Sequence, residues 1–316
     1  MVRQGIAEDL RDKTGSLVRV LLSNKQMMTK NWILIILFFG TLPGFSRQKF
    51  NFVFWQLPSQ INTIGNSYVF RMNDGKVAVM DGGVKEEAAF LRGFLAALGN
   101  YVDVWFVSHP HPDHIGALTA ILKAPDGIRI GKVCHCEFSP AFCGSEPDYK
   151  AAAEEFYATL KESGVPVVNV NEPGMVIELD QTRFKILGVK NEDLLVNPYN
   201  NSSMVIRVWD SKKSIVFLGD CGREEGDRLL NGPYRSDLDC DYLQMAHHGQ
   251  NGVSKDFYRT IKFKACLWPS PSWVYNNDVG KGYNTHTFET VGIRNLVDSL
   301  GIKSNYVSCE GLSKIK

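Results

Sequence analysis

Residues 108–114 read Ser-His-Pro-His-Pro-Asp-His, which places three of the chain's seven histidines within six positions, beside an acid. In an extended segment residues i and i+2 point the same way, so His109 and His111 can share one metal ion. Pro110 and Pro112 stiffen the backbone that carries them. Asp113 and His114 then fall at the turn into an apolar helix, aimed at a neighbouring point. Imidazole and carboxylate together suit zinc, manganese or iron. A bare helix N-cap at Asp113 beside incidental surface histidines would leave this density of donors unexplained.

The surrounding pattern is strand-rich. Residues 51–57, 67–72 and 76–80 are short runs of β-branched and aromatic residues, and Asn73-Asp74-Gly75 reads as a hairpin turn. Apolar residues at helical spacing predict a helix over 85–98, stopped by Gly99. A buried strand over 102–107 leads into the histidine cluster. Further helices are expected near 114–123, 148–163, 222–230, 254–261 and 287–300. Further strands are expected near 128–134, 166–170, 183–189, 203–209, 214–218, 240–246, 264–268 and 304–308. Strands in runs with helices between them imply two sheets covered by outer helices. No low-complexity stretch or Pro/Ser-rich linker divides them, so residues 47–316 read as one sandwich domain.

The most apolar run, residues 32–45, is too short to cross a bilayer easily, since a spanning helix needs roughly 20 apolar residues. Lys30 precedes it, and Gly44-Phe45-Ser46 closes it with small residues. That order is the layout of a secretory signal peptide. The polar, charged residues upstream do not fit such a start, so translation is expected to begin at Met27 or Met28. Residues 1–46 are therefore set apart as an extension plus signal peptide, with the mature protein extracytoplasmic and without a stable membrane span. The formal net charge of +1 argues against a broad polyanion-binding surface. Seven cysteines do not make a dense disulfide framework in a chain this long.

With the motif in place, the sequence resembles the metallo-β-lactamase superfamily, whose H-x-H-x-D-H pattern is matched in full by residues 109–114. The resemblance covers roughly residues 50–316 and implies an α/β fold, the αββα sandwich, with metals at one edge between the sheets. Asp81 in Met-Asp-Gly-Gly resembles the family's early aspartate, which supports the motif loop. Asp220 in Phe-Leu-Gly-Asp resembles the aspartate that bridges two metals; by itself it reads equally as a turn residue. His247-His248-Gly249 resembles the late histidine motif. Successive strand residues point to opposite faces, so only one of that pair should face the metal. His247 is the expected ligand, with His248 a catalytic or substrate contact.

The metal ligands implied are thus His109, His111, Asp113, His114, Asp220 and His247, holding two zinc ions, with manganese as the other candidate. Many family members carry a further ligating histidine between the first motif and the bridging aspartate. The only histidine between 115 and 219 is His135, inside a strand too early in the chain. The expected position reads Asn200-Asn201-Ser202-Ser203, which resembles the hydrolase domain of competence-associated DNA-uptake proteins and related phosphodiester- or phosphorylcholine-cleaving enzymes. Asn201 and Ser202 become candidate substrate contacts, with Asn201 able to fill the open metal position. Tyr283-Asn284-Thr285-His286 resembles a late stretch of the same relatives.

The reaction expected is hydrolysis by a metal-activated hydroxide, the ion lowering the pKa of its water to about 7. Asp113 would orient the nucleophile, and His286 would stabilise charge or protonate the leaving group. A phosphodiester or related phosphate ester, small or surface-attached, is the leading substrate class, with long nucleic acid not favoured. Acyl hydrolysis of a lactone, thioester or β-lactam is the alternative.

Overall fold

The computed structural model describes residues 51–316; the expected signal peptide lies outside these residues. Two seven-stranded sheets face each other. The first has the order β16-β1-β2-β3-β5-β7-β8 and the second β15-β14-β13-β12-β11-β10-β9. The first sheet takes β1 (Phe52–Gln56), β2 (Ser67–Met72) and β3 (Val77–Asp81), then β5 (Val104–Phe106), β7 (Val133–His135) and β8 (Val167–Asn169). The second takes β9 (Val176–Leu179), β10 (Thr182–Gly188), β11 (Val205–Trp209), β12 (Ser214–Phe217), β13 (Tyr242–Gln244), β14 (Ala265–Trp268) and β15 (Ser304–Val307). The last strand, β16 (Ser313–Ile315), returns to the first sheet and pairs antiparallel with β1, Phe54 opposite Ile315.

Each sheet is antiparallel on one side and parallel on the other. β1, β2 and β3 alternate in direction, and β3, β5, β7 and β8 run together. In the second sheet β9 to β12 alternate, and β12 to β15 run together. Parallel neighbours need crossover connections, and these supply the covering helices. Over the first sheet lie α1 (Ala88–Ala96), α2 (Pro112–Lys123) and α3 (Pro147–Ser163). Over the second lie α4 (Arg223–Asn231), α5 (Lys255–Thr260) and α6 (Thr290–Ser299).

Strand alternation sorts the apolar side chains into three layers. Phe54, Phe70, Phe106, Phe184 and Phe217 fill the space between the sheets, with Phe106 and Phe184 stacked at 5.0 Å. Trp105, Leu118, Ile121 and Phe156 pack beneath the first helical layer. Phe257, Trp268, Ile293 and Leu296 do the same beneath the second. The result is the αββα sandwich that the motif resemblance implied.

The run 128–134, expected as one strand, divides at Gly131. Arg129–Ile130 forms β6, which pairs with β4 (Tyr101–Val102) in a separate two-stranded ladder, while Val133–His135 joins the large sheet. β9 and β16 carry no strand signal in sequence; each is four residues or fewer. Six of the seven cysteines are buried, Cys309 is exposed, and all are unpaired.

Candidate metal centre

Every donor of the centre leaves the C-terminal end of a strand on the parallel side of a sheet. Asp81 ends β3, His109 to His114 follow β5, Asp220 follows β12, and His247 and His248 follow β13. Two sheets facing each other therefore bring their strand ends to one edge.

The motif is arranged by the start of α2. His111 is the N-cap residue, extended at φ −76° and ψ 147°, and Pro112 opens the helix with its preset φ. Asp113 and His114 occupy the first turn, where the backbone NH of His114 donates to the His111 carbonyl at 2.9 Å. Asp81 braces this turn from beneath. Its Oδ1 accepts from the Ser108 NH at 2.7 Å. Its Oδ2 accepts from Ser108 Oγ at 2.9 Å, Asn66 Nδ2 at 2.7 Å and His114 Nδ1 at 2.9 Å.

These bonds set the tautomers. A carboxylate can only accept, so Nδ1 of His114 carries a proton and Nε2 is the atom left to face a metal. His248 donates from Nδ1 to the Pro269 carbonyl at 2.9 Å, and so also presents Nε2. His111 donates from Nε2 to Glu146 Oε2 at 2.8 Å, leaving Nδ1 toward His109 Nε2 at 3.0 Å. Glu146 is itself fixed by the Tyr199 NH.

The free donor atoms converge in two groups, His109, His111 and Asp220 in one, and Asp113, His114, Asp220 and His248 in the other. Within each group the donors lie within 4.8 Å of one another, and Asp220 belongs to both. Its Oδ1 is 3.2 Å from His114 Nε2; its Oδ2 is 3.2 Å from His248 Nε2 and 3.9 Å from His109 Nε2. Asp113 Oδ2 lies 3.0 Å from His248 Nε2. Among the described residues, the ion-pair partners of Asp113 and Asp220 are all imidazoles. His114 Nε2, His248 Nε2 and Asp220 Oδ1 are buried and make no hydrogen bond. Orphaned donors of this kind around buried carboxylates fit a pair of divalent cations.

The acid–base balance agrees. Burial opposes ionising Asp113 and Asp220, yet the adjacent His114 and His248 hold both carboxyls below their ordinary range. Burial would likewise discharge His114 and His248. The carboxylates around them outweigh it, raising His114 and pushing His248 up to about 9. His109, buried beside two other imidazoles, is depressed. Carboxylates that hold protons in place at His114 and His248 would hold a metal ion in their stead.

Three expectations change. His248 sits with Asp113 and Asp220, in the position expected of His247, because the pair is not on a strand. β13 ends at Gln244, and His247 and His248 are both left-handed, at φ 51° and 56°, so strand alternation does not govern them. His247 Nε2 is instead 3.9 Å from Asp220 Oδ2 and 3.4 Å from Asn200 Nδ2. Asn201 turns away from the metals: its Nδ2 donates to the Val196 carbonyl and to Glu224, and its Oδ1 accepts from the Glu225 NH at the start of α4. Ser202 Oγ accepts from the Asn191 NH. Their neighbours Asn200 and Ser203 face the centre, Ser203 Oγ at 3.4 Å from His109 Nδ1. His286 rests edge-on against Phe288 at 4.3 Å and forms no side-chain bond to the cluster among the described residues. Trp268, beneath the turn that carries His247 and His248, is a core residue that donates to Asn305.

Glu146 and Asn66 had no signal in the sequence, since each is brought in by tertiary packing alone. Ser108 could have been found by its place beside the motif.

A sequence model of the metallo-beta-lactamase superfamily matches residues 62–262. No curated protein matches. Among solved structures, the metallo-beta-lactamase fold protein YhfI from Bacillus subtilis is similar with a TM-score of 0.53 at 11% identity, over 84% of this chain and 99% of its own. CmlA, a diiron beta-hydroxylase from Streptomyces venezuelae, is similar with a TM-score of 0.50 at 12% identity, over 84% of this chain and 54% of its own. This chain thus spans about half the length of CmlA, and at these identities the likeness is one of fold.

Proposed function

The chain belongs to the metallo-β-lactamase superfamily as a metal-dependent hydrolase, and on that premise we propose that it cleaves phosphodiesters or related phosphate esters at a two-metal centre. The observation that carries this reading is Asp220, shared between the two donor groups. A shared carboxylate keeps two cations a few ångströms apart, the spacing at which paired ions clamp both oxygens of an in-line displacement at phosphorus. Bound there, the ions would activate a water molecule and polarise the phosphoryl oxygen.

The chain's own groups do the rest. Asp113 is the centre's carboxylate nearest to solvent, its side chain 22% exposed. Held ionised, it orients the nucleophile by accepting its hydrogen bond. The first group brings three donors close enough to share one ion. Asn200, beside the centre at 3.4 Å from His247 Nε2, offers an amide donor to a phosphoryl oxygen. The position that carries a histidine in many relatives is thereby given to neutral polar groups, which weighs against a β-lactam substrate.

Donors of nitrogen and oxygen without thiolate suit zinc, and also manganese or iron. We take zinc as the resident metal. The near-neutral charge favours a small or surface-attached ester over long nucleic acid. We place the enzyme outside the cytoplasm on the leader-like residues 32–45. No helix among the described residues is long and apolar enough to cross a membrane.

Purified protein loaded with zinc or manganese should hydrolyse bis-p-nitrophenyl phosphate, and Asp220→Asn should lower kcat/KM by at least ~100-fold, as losses at metal sites do. Turnover of a lactone or a chromogenic cephalosporin without turnover of the phosphodiester would sink the reading.

A further inference from the structure

His247 and His248 are consecutive, and both adopt left-handed backbone conformations, φ 51°, ψ 48° and φ 56°, ψ 18°. Non-glycine residues seldom do so, and two in succession persist only where the surroundings impose them. The surroundings here are explicit. The His247 NH donates to the Gly219 carbonyl at 3.1 Å, immediately before Asp220, and the Gln250 NH returns to the His247 carbonyl at 2.7 Å. Ser270 Oγ donates to the His248 carbonyl at 2.5 Å. The turn is thus tied on one side to the strand end that carries Asp220. A single ligand could be presented by an ordinary strand end, as the alternation of side chains allows. The strained doublet brings both imidazoles toward Asp220.

The two rings approach it differently. His248 Nε2 falls in the group with Asp113, His114 and Asp220. His247 Nε2 stands 3.9 Å from Asp220 Oδ2, the same separation that His109 Nε2 keeps from that oxygen. Donors sharing one ion, with bonds of about 2.0–2.2 Å, lie at most ~4 Å apart. The Nδ1 atom of His247 is buried and makes no hydrogen bond. The approach of Asn200 Nδ2 to Nε2, at 3.4 Å, is long for a hydrogen bond, and that amide already donates to Asn197 Oδ1 at 3.1 Å.

We propose that the adjacent histidines divide between the two metals, His248 completing the group of Asp113 and His114 while His247 supplies the fourth donor to the group of His109 and His111. His247 lies outside the donors that are mutually within 4.8 Å, so binding draws its ring inward; its side chain is 23% exposed and has room to turn. The late motif then replaces the middle histidine that this chain lacks. The inference rests on the two-metal reading, though not on the substrate class.

The test is the count of imidazoles on the metals. Protein loaded with two equivalents of Co(II) should show five hyperfine-shifted, exchangeable imidazole NH resonances. Those would come from His109, His111, His114, His247 and His248. His247→Asn keeps a residue that tolerates the left-handed turn, and should remove one resonance and weaken the weaker-bound ion at least tenfold. An unchanged melting temperature of the metal-free variant would show that the fold is retained. Two bound ions with four resonances, all surviving in His247→Asn, would overturn the division of the doublet and leave the two-metal reading standing. Fewer than two bound ions in the unaltered protein would overturn that reading and this inference with it, and hydrolysis assays would be needed to judge the substrate class separately.

Discussion

His135 lies on β7 with its ring beside Phe156 and Tyr157, at 5.8 and 5.6 Å, and burial lowers its pKa to about 4. It therefore stays neutral in the folded protein at pH values where the unfolded chain would protonate it, below about 6.5. Its contribution to stability is whole above that value and is lost as pH falls toward 4, because the unfolded state then binds the extra proton. Denaturant unfolding of metal-free protein should show the unaltered chain losing about 3 kcal/mol relative to His135→Leu from pH 7 to pH 4. A gap that does not move with pH would mean that the ring is solvated. The same residue shows what one position in a sequence conveys. Its placement in an early strand excluded it as a ligand, yet its neighbours on α3 could not be read from the chain. Glu146 is the converse case, a lone acid in a loop that becomes the partner of His111 only when α3 is laid against the motif.

At the level of elements, the turn after β13 decides how the centre is built. Left-handed conformations cost roughly 1–2 kcal/mol per non-glycine residue, so the doublet must be supported locally. Gly249 continues the turn at φ 81°, and a Cβ there would lie 2.7 Å from the Trp268 ring. Gly249→Ala should therefore destabilise the metal-free protein by about 1–3 kcal/mol, and chemical denaturation measures it directly; a loss below 0.5 kcal/mol would show that the turn is slack. This turn also marks where sequence reasoning failed. A run of β-branched and aromatic residues is visible over β2, β3 or β11, whose side chains enter two apolar layers in turn. The motif at 109–114 was legible for a similar reason, because its donors are contiguous and their spacing is itself the geometry. The conformation of a three-residue turn depends on what packs against it, here Trp268 and the Gly219 carbonyl. Strand alternation carried one residue too far therefore exchanged His247 and His248. Asn201 and Ser202 were displaced by the same kind of local fact, a short 3₁₀ turn over Asn200–Ser202 that rotates their side chains into α4 and the preceding loop.

Across the whole molecule, the donors are split between the sheets, His109 to His114 on the first and Asp220, His247 and His248 on the second. Ions held by both halves close the open edge of the sandwich, so metal affinity is also folding energy. Metal at 100 times its dissociation constant should add about 2.7 kcal/mol per site. A chelator should lower the melting temperature by several degrees, and Asp220→Asn should abolish that difference. An identical melting temperature with and without chelator would show that the inter-sheet aromatic core, Phe70, Phe106, Phe184 and Phe217, holds the edge alone.

The pairing of β16 with β1 has a consequence in time. β1 leaves the ribosome before the other described strands, and β2 can join one flank at once. Its other flank stays bare until Ser313–Ile315 has been made. An uncovered strand edge is a template for pairing with any other chain nearby, and closing it joins the first and last of the described strands, a slow step. The sandwich is thus exposed to misassembly until β16 has been made, and a chain cut before Ser313 would keep that edge bare.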